Sequence, residues 1–204
     1  MDAKELKFMN SPLKMFMHKY LEFRIFKHFL SSYDVDLTGK AILEVGCGSG
    51  YGLELISRRF RPSRLIGFDI LPEQVNFARK RGIPGVTKLF VGSVENIKLS
   101  PASFDSVFIF TVFHHVEGWR EGLREVNKVL KPKGILLVNE LNKRSLERFE
   151  RYLKVSHPKR SRFSWEEFRE GLASAGFKIL RERMILRDFG FFMCMKARSF
   201  LTSV

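Results

Sequence analysis

Hydrophobic positions follow two rhythms along this chain. From Pro12, the residues Leu13, Phe16, Met17, Tyr20, Leu21, Ile25, Phe26 and Phe29 recur at helical spacing. Pro12 suits a first helical turn, and Ser11 suits its cap. The pattern predicts an amphipathic helix ahead of the rest. Short apolar runs then take over at Ile42–Val45, Arg64–Asp69, Thr87–Gly92, Ser106–Val112 and Ile135–Glu140. These read as strands, and the nearly unbroken run at 106–112 suits one covered on both faces. Leu53–Phe60, Pro72–Arg81 and about Trp119–Leu130 read as intervening helices, with a turn at Pro132-Lys133-Gly134. Strands alternating with helices imply an α/β fold: a doubly wound, mostly parallel sheet with helices on both faces.

The pattern loosens after Glu140. Residues 142–163 are basic with Phe149, Tyr152 and Leu153 interleaved, which fits a helix and then a loop at His157-Pro158. Ser164 caps a helix over Trp165–Ala175 that Gly176 closes. Phe177–Arg183 and Phe191–Arg198 read as two more strands. One domain accounts for residues 1–204: a helical extension over 1–37, a core over 38–141, and a basic helical segment with the final strands over 142–204.

Chemistry concentrates where the first strand meets its helix. Glu44-Val45-Gly46-Cys47-Gly48-Ser49-Gly50-Tyr51-Gly52 strips side chains from a strand-to-helix turn. Glycine is needed where φ is positive or where a ligand approaches the main chain. Such a turn also presents backbone N–H groups and a helix's positive end to a crevice. A nucleotide-type ligand is implied at the carboxyl end of this strand. The dinucleotide spacing G-x-G-x-x-G is not met, because its third glycine would fall on Tyr51 or Leu53. Asp69 ends the second strand nineteen residues beyond Gly50. An acid there can accept both hydroxyl protons of a ribose, although it could also cap the helix beginning at Pro72.

Glu-x-Gly-x-Gly-x-Gly over Glu44–Gly50 closely resembles the first motif of the class I S-adenosylmethionine-dependent methyltransferases. Phe104-Asp105, His114-His115 and Leu130–Gly134 resemble the same family, particularly its small-molecule branch typified by quinone C-methyltransferases. The likeness covers about residues 40–140. It implies a Rossmann-like sheet of seven strands with the last antiparallel, and S-adenosyl-L-methionine as cofactor with S-adenosyl-L-homocysteine as product. By resemblance the cofactor contacts are Glu44, Gly46, Cys47, Gly48, Gly50, Asp69, Ile70, Ser93, Val94, Glu95 and Thr111. The segment Gly92-Ser93-Val94-Glu95-Asn96 departs from the family's usual Gly-Asp-Ala-Glu-Asn, because Ser93 stands where an aspartate meets the adenine amine. A hydroxyl is a weaker, uncharged acceptor, so Ser93, Glu95 or backbone atoms are left to make that contact. His114 and His115 lie just past the fourth strand, where acceptor and methyl would meet. One of them can act as general base or orient the acceptor, or the pair can simply shape the loop. The family also implies that the N-terminal helix serves as a lid, against the plainer reading of a helix packed on the domain.

Composition narrows the picture. Hydrophobic residues make up 45% and charged residues 28%, and no apolar run approaches a membrane span. Cys47 and Cys194 are too few for a disulfide framework and form no metal-ligand set with the histidines, so no metal is expected. The start does not look like a signal peptide, and a cytoplasmic, reducing setting fits. The net charge of +14 sits mostly at the ends: 31–142 contributes only +3, whereas 143–162 has eight basic residues against two acids. This is either a solvated surface or a grip on an anionic partner. The strand-4 region carries Phe110-Thr111-Val112-Phe113 rather than the Asn/Asp-Pro-Pro-aromatic of base-amine methyltransferases. A small-molecule acceptor, anionic or neutral, is therefore the first expectation and RNA the second. A cofactor-binding protein without catalysis is the third. The oligomeric state is left open.

Overall fold

The computed structural model describes residues 22–153 and 159–197. The predicted helix from Pro12 thus lies outside the described residues before Glu22, as do the proposed lid portion and the His157-Pro158 loop. What remains of that helix is α1, Phe23–Ser32. It is followed by β1 (Ala41–Val45), α2 (Tyr51–Phe60), β2 (Arg64–Asp69), α3 (Pro72–Lys80), β3 (Val86–Val91) and β4 (Phe104–Phe110). A 3-10 turn over Phe113–His115 leads to α4 (Trp119–Val129), β5 (Leu130–Leu141) and α5 (Lys143–Leu153). After a second 3-10 turn at Lys159–Ser161 come α6 (Trp165–Ser174), β6 (Phe177–Ile185) and β7 (Phe189–Lys196).

The strands form one seven-stranded sheet in the order β3-β2-β1-β4-β5-β7-β6. The β1–β2, β1–β4, β2–β3 and β4–β5 pairs are parallel, and β7 runs antiparallel to both β5 and β6. This is the doubly wound arrangement expected, with the antiparallel last strand that the resemblance implies. Alternating side chains divide the core between the faces. Ile42, Phe108, Phe110, Leu137 and Phe191 pack with Phe26 and Phe29 of α1 and with Leu53 and Ile56 of α2. Leu43, Val45, Val107 and Ile109 pack on the other side with Trp119 and Leu123 of α4 and Phe168 of α6. Both faces of the central strands are covered, which is why their sequences read as continuous apolar runs.

Several boundaries differ from expectation by a few residues. The fourth strand ends at Phe110, two residues early, because Thr111 takes a positive φ of 55° and turns the chain. The Pro132-Lys133-Gly134 turn is carried inside β5 as an irregularity: Leu130 pairs with Phe104 and Ile135 with Ser106, and Lys133 absorbs the excess at φ 63°. The last two strands are longer toward each other, Ile185 pairing with Phe189 around a tight turn. Ser164 caps α6 as expected, in a full capping box with Glu167.

Candidate active site

A cavity of about 510 Å³ opens at the carboxyl ends of β1, β2 and β4, within the size range of small-molecule pockets. The turn after β1 forms its floor. Gly46 and Gly48 line it, with φ of 66° and 50°. A side chain at Gly46 would collide with Val112, so this glycine lets the loops after β1 and β4 meet. Gly48 faces open space, the nearest atom to a side chain there being Gln74 Oε1 at 4.0 Å.

Glu44, Cys47 and Gly50 lie behind that lining. Gly50 (φ 83°) packs on Ile83 and Ala78, and a side chain at Gly52 would overlap the Glu44 carboxylate. Glu44 is buried, and burial together with nearby Asp69 holds its carboxyl well above the ordinary range. Burial likewise pushes the Cys47 thiol far up, so it is no nucleophile. Of the four glycines, two shape the cavity and two serve packing.

Asp69, at the end of β2, projects into the cavity wall. Its Oδ2 accepts from Gly48 N and its Oδ1 from Leu71 N, both at 2.9 Å. Burial raises its pKa, and these N–H donors pull it back down. Ile70 follows, mostly exposed and also lining the cavity. Across from it, the loop after β3 brings in Ser93, Val94 and Glu95. Ser93 Oγ accepts from Glu95 N at 3.2 Å, while Glu95 Oε1 accepts from Gly118 N at 3.1 Å. Glu95 thus fastens this loop to the start of α4.

Thr111 and His115 close the β4 side. The histidine pair is divided: His115 lines the cavity, whereas His114 is buried with Nδ1 2.8 Å from Glu140 Oε2. Their rings lie 4.0 Å apart. Glu140 Oε1 also accepts from Val112 N (2.7 Å) and Phe113 N (2.6 Å). Burial raises its carboxyl to about 7 against the pull of these donors.

Sequence reasoning passes over two residues that matter here. Gln74 is buried on the inner stripe of α3, lines the cavity, and leaves Oε1 without a partner among the described residues. Glu140, an acid ending a buried strand, repeats on β5 the signal that singles out Asp69 on β2.

A doubly wound sheet with a glycine-floored cavity and an acid at the second strand's end defines a nucleotide-type ligand site. Residues 43–138 match the methyltransferase domain family. The chain is 29% identical over 150 residues to a fatty-acid O-methyltransferase of Mycolicibacterium smegmatis, covering 74% of this chain and 48% of that one. It is 35% identical over 108 residues to a phthiotriol/phenolphthiotriol dimycocerosates methyltransferase of Mycobacterium leprae, covering 52% and 40%. The chain therefore spans about half the length of these curated relatives or less. A crystal structure of an S-adenosylmethionine-dependent methyltransferase from Aquifex aeolicus superposes with a TM-score of 0.75 at 21% identity, covering 97% of this chain and 100% of that one. Residues 43–138, just under half of the chain, thus carry a methyltransferase domain, on a fold shared with an S-adenosylmethionine-dependent methyltransferase.

Proposed function

We propose that this protein transfers a methyl group from S-adenosylmethionine to a small, largely apolar acceptor. The observation that carries this reading is the cradle between Gly48, Asp69 and Gln74. There a buried carbonyl oxygen without a partner among the described residues faces the space a glycine leaves, beside a carboxylate. Such acceptor groups suit a ligand rich in hydroxyl and amine donors. The residues present therefore fit the family's cofactor.

In this reading Asp69 accepts from the ribose hydroxyls and Gln74 from a second donor of the ligand. Ile70 and Val94 supply apolar contact, and Ser93 or the backbone beside it meets the adenine. Bound there, the cofactor supplies a methyl group on a sulfonium, whose departure needs no proton. The chain's remaining work is to position the acceptor and exclude water. His115, facing the cavity, is placed to take the acceptor's proton where one must leave. His114 acts through its bond to Glu140, which sets the backbone that carries His115.

The acceptor class is supported by the curated relatives, whose names specify fatty acids and phthiotriol-type lipids. RNA is the second reading, favoured by exposed Lys143, Arg144, Arg151, Lys159 and Arg160 in the basic stretch. No helix among the described residues is long and apolar enough to cross a membrane. The test is isotopic methyl transfer from S-adenosylmethionine into cell extract separated into small molecules, RNA and protein. Label in the small-molecule fraction is expected, and its loss in His115→Ala would mark the acceptor end of the cavity. Label confined to RNA or protein would overturn the assignment.

A further inference from the structure

On β5 the residues Ile135, Leu137 and Asn139 point to the face covered by α1, and the first two are apolar as that face requires. Asn139 is not. It is fully buried, and neither its Nδ2 nor its Oδ1 has a hydrogen-bond partner among the described residues. Other buried polar side chains nearby are satisfied: Ser106 Oγ donates to Ile135 O, and Ser145 Oγ bonds Asn142 and Asp188. Buried polar atoms are nearly always paired, because desolvating them without compensation is unfavourable.

The surroundings of Asn139 are aromatic. In the sheet it pairs with Phe110 on one side and Phe191 on the other. Phe26 of α1 touches both rings, with centroids 5.6 and 5.8 Å away, and so spans the strand that carries Asn139. Phe110 belongs at once to this cage and to the cofactor cavity, whose lining it joins. The main chain of Asn139 is tied to the same place, its carbonyl accepting from Thr111 N at 2.9 Å. A polar amide thus lies under a phenylalanine roof, one side chain away from the cavity.

We propose that Asn139 is the recognition residue of an acceptor pocket that forms when the Phe26 ring gives way. The acceptor it selects is an apolar molecule bearing a hydroxyl. An amide offers both a donor and an acceptor, and a hydroxyl answers both. An ionised carboxylate would answer only the donor and would bury a charge among phenylalanines. This deepens the methyl-transfer reading and rests on it.

Asn139→Leu tests the idea, because leucine keeps the side chain's size and branching and removes only its polarity. The probes are 1-naphthol and naphthalene, which differ by the hydroxyl alone, titrated by calorimetry with S-adenosylhomocysteine present. The parent should bind naphthol about tenfold more tightly than naphthalene, the scale of one net hydrogen bond. The variant should bring that ratio to about one, with S-adenosylhomocysteine affinity unchanged and the melting temperature no lower. Failure of naphthol to bind, an equal ratio in both proteins, or a lower melting temperature in the variant with its ratio intact would overturn the inference. If S-adenosylhomocysteine itself failed to bind the parent, the methyl-transfer reading would fall first and this inference with it. With that ligand bound and no discrimination seen, only the inference falls.

Discussion

His114 Nδ1 lies 2.8 Å from Glu140 Oε2, with both side chains buried, so an acid near the end of β5 holds the ring that follows β4. The other carboxylate oxygen takes the N–H groups of Val112 and Phe113. One side chain therefore satisfies three groups of a loop that has left the sheet through the left-handed Thr111. The next residue along, His115, is the one that faces the cavity. Glu140 sets the geometry of the site without lining it.

Removing that carboxylate should be costly. Glu140→Ala would strand two backbone donors and the His114 ring, each worth about 1–3 kcal/mol when left buried and unpaired. A loss of roughly 3 kcal/mol or more in chemical denaturation is expected, and a loss near zero would show the loop held by other means. Glu140→Gln keeps the accepting oxygen and removes ionisation. Because burial raises this acid from 4.5 to about 7, folding favours its protonated form. The stabilisation is complete below the unfolded value and disappears as pH climbs through about 7, by about 3 kcal/mol at most. The parent should lose stability between pH 5 and 8 relative to Glu140→Gln. A relative gain over that window would mean the carboxylate is favoured instead.

Gly48 and Gly50 should fail differently. Both have positive φ, so any side chain brings backbone strain. At Gly50 a side chain would also lie 2.7 Å from Ile83 Cδ1 and 3.0 Å from Ala78 Cβ, inside the packed floor. At Gly48 it would meet only open cavity. Gly50→Val should therefore lower the melting temperature sharply. Gly48→Val should stay folded, with about 1–2 kcal/mol of strain, while losing S-adenosylmethionine binding. Calorimetry and thermal melts on the pair decide it, and retained cofactor affinity in Gly48→Val would remove that glycine from the site.

Asp69→Ala should weaken S-adenosylmethionine by about 1.5–3 kcal/mol, the range for hydrogen bonds to a charged group. Some stability should go too, since its oxygens also hold Gly48 N and Leu71 N. Asp69→Asn separates the effects, because one amide oxygen can still serve the loop. Unchanged cofactor affinity in both variants would leave Asp69 as a fastener between two turns.

The strands, the glycine turn and Asp69 are legible in the sequence because each leaves a local trace: a run of apolar residues, a cluster without side chains, an acid at a strand's end. What stays hidden is long-range. The donors to Glu140 come from Val112 and Phe113, more than twenty-five residues earlier, and no spacing displays that. Regular spacing makes Gly46, Gly48, Gly50 and Gly52 look alike, yet neighbours from α3 and β1 assign the last two to packing. His114 and His115 are adjacent in the chain, and only the 3-10 turn sends one inward and one to the cavity. Asn139 is invisible for the opposite reason: a single polar residue in an apolar run reads as noise until the sheet shows which ring covers it.

The basic stretch 143–162 separates a small acceptor from RNA. Its charge is less available than composition suggests. Arg148 pairs with Asp188, which also holds Ser145, and Arg162 is bound to Glu150 at 2.9 Å. Those arginines fasten α5 to its surroundings, so they are poor probes of a nucleic-acid surface. Lys143, Arg144 and Arg151 are exposed and are the ones to change. If this face grips a single strand, several phosphates are neutralised together, and log affinity falls with log salt at about −0.7 per phosphate. A small acceptor engages one or two charges at most, and its salt dependence is shallow. The shallow case is expected: weak RNA binding by filter assay between low and physiological salt, unaltered when these three residues become alanine. Tight binding that the triple variant reduces, with a steep slope in the parent, would transfer the assignment to RNA.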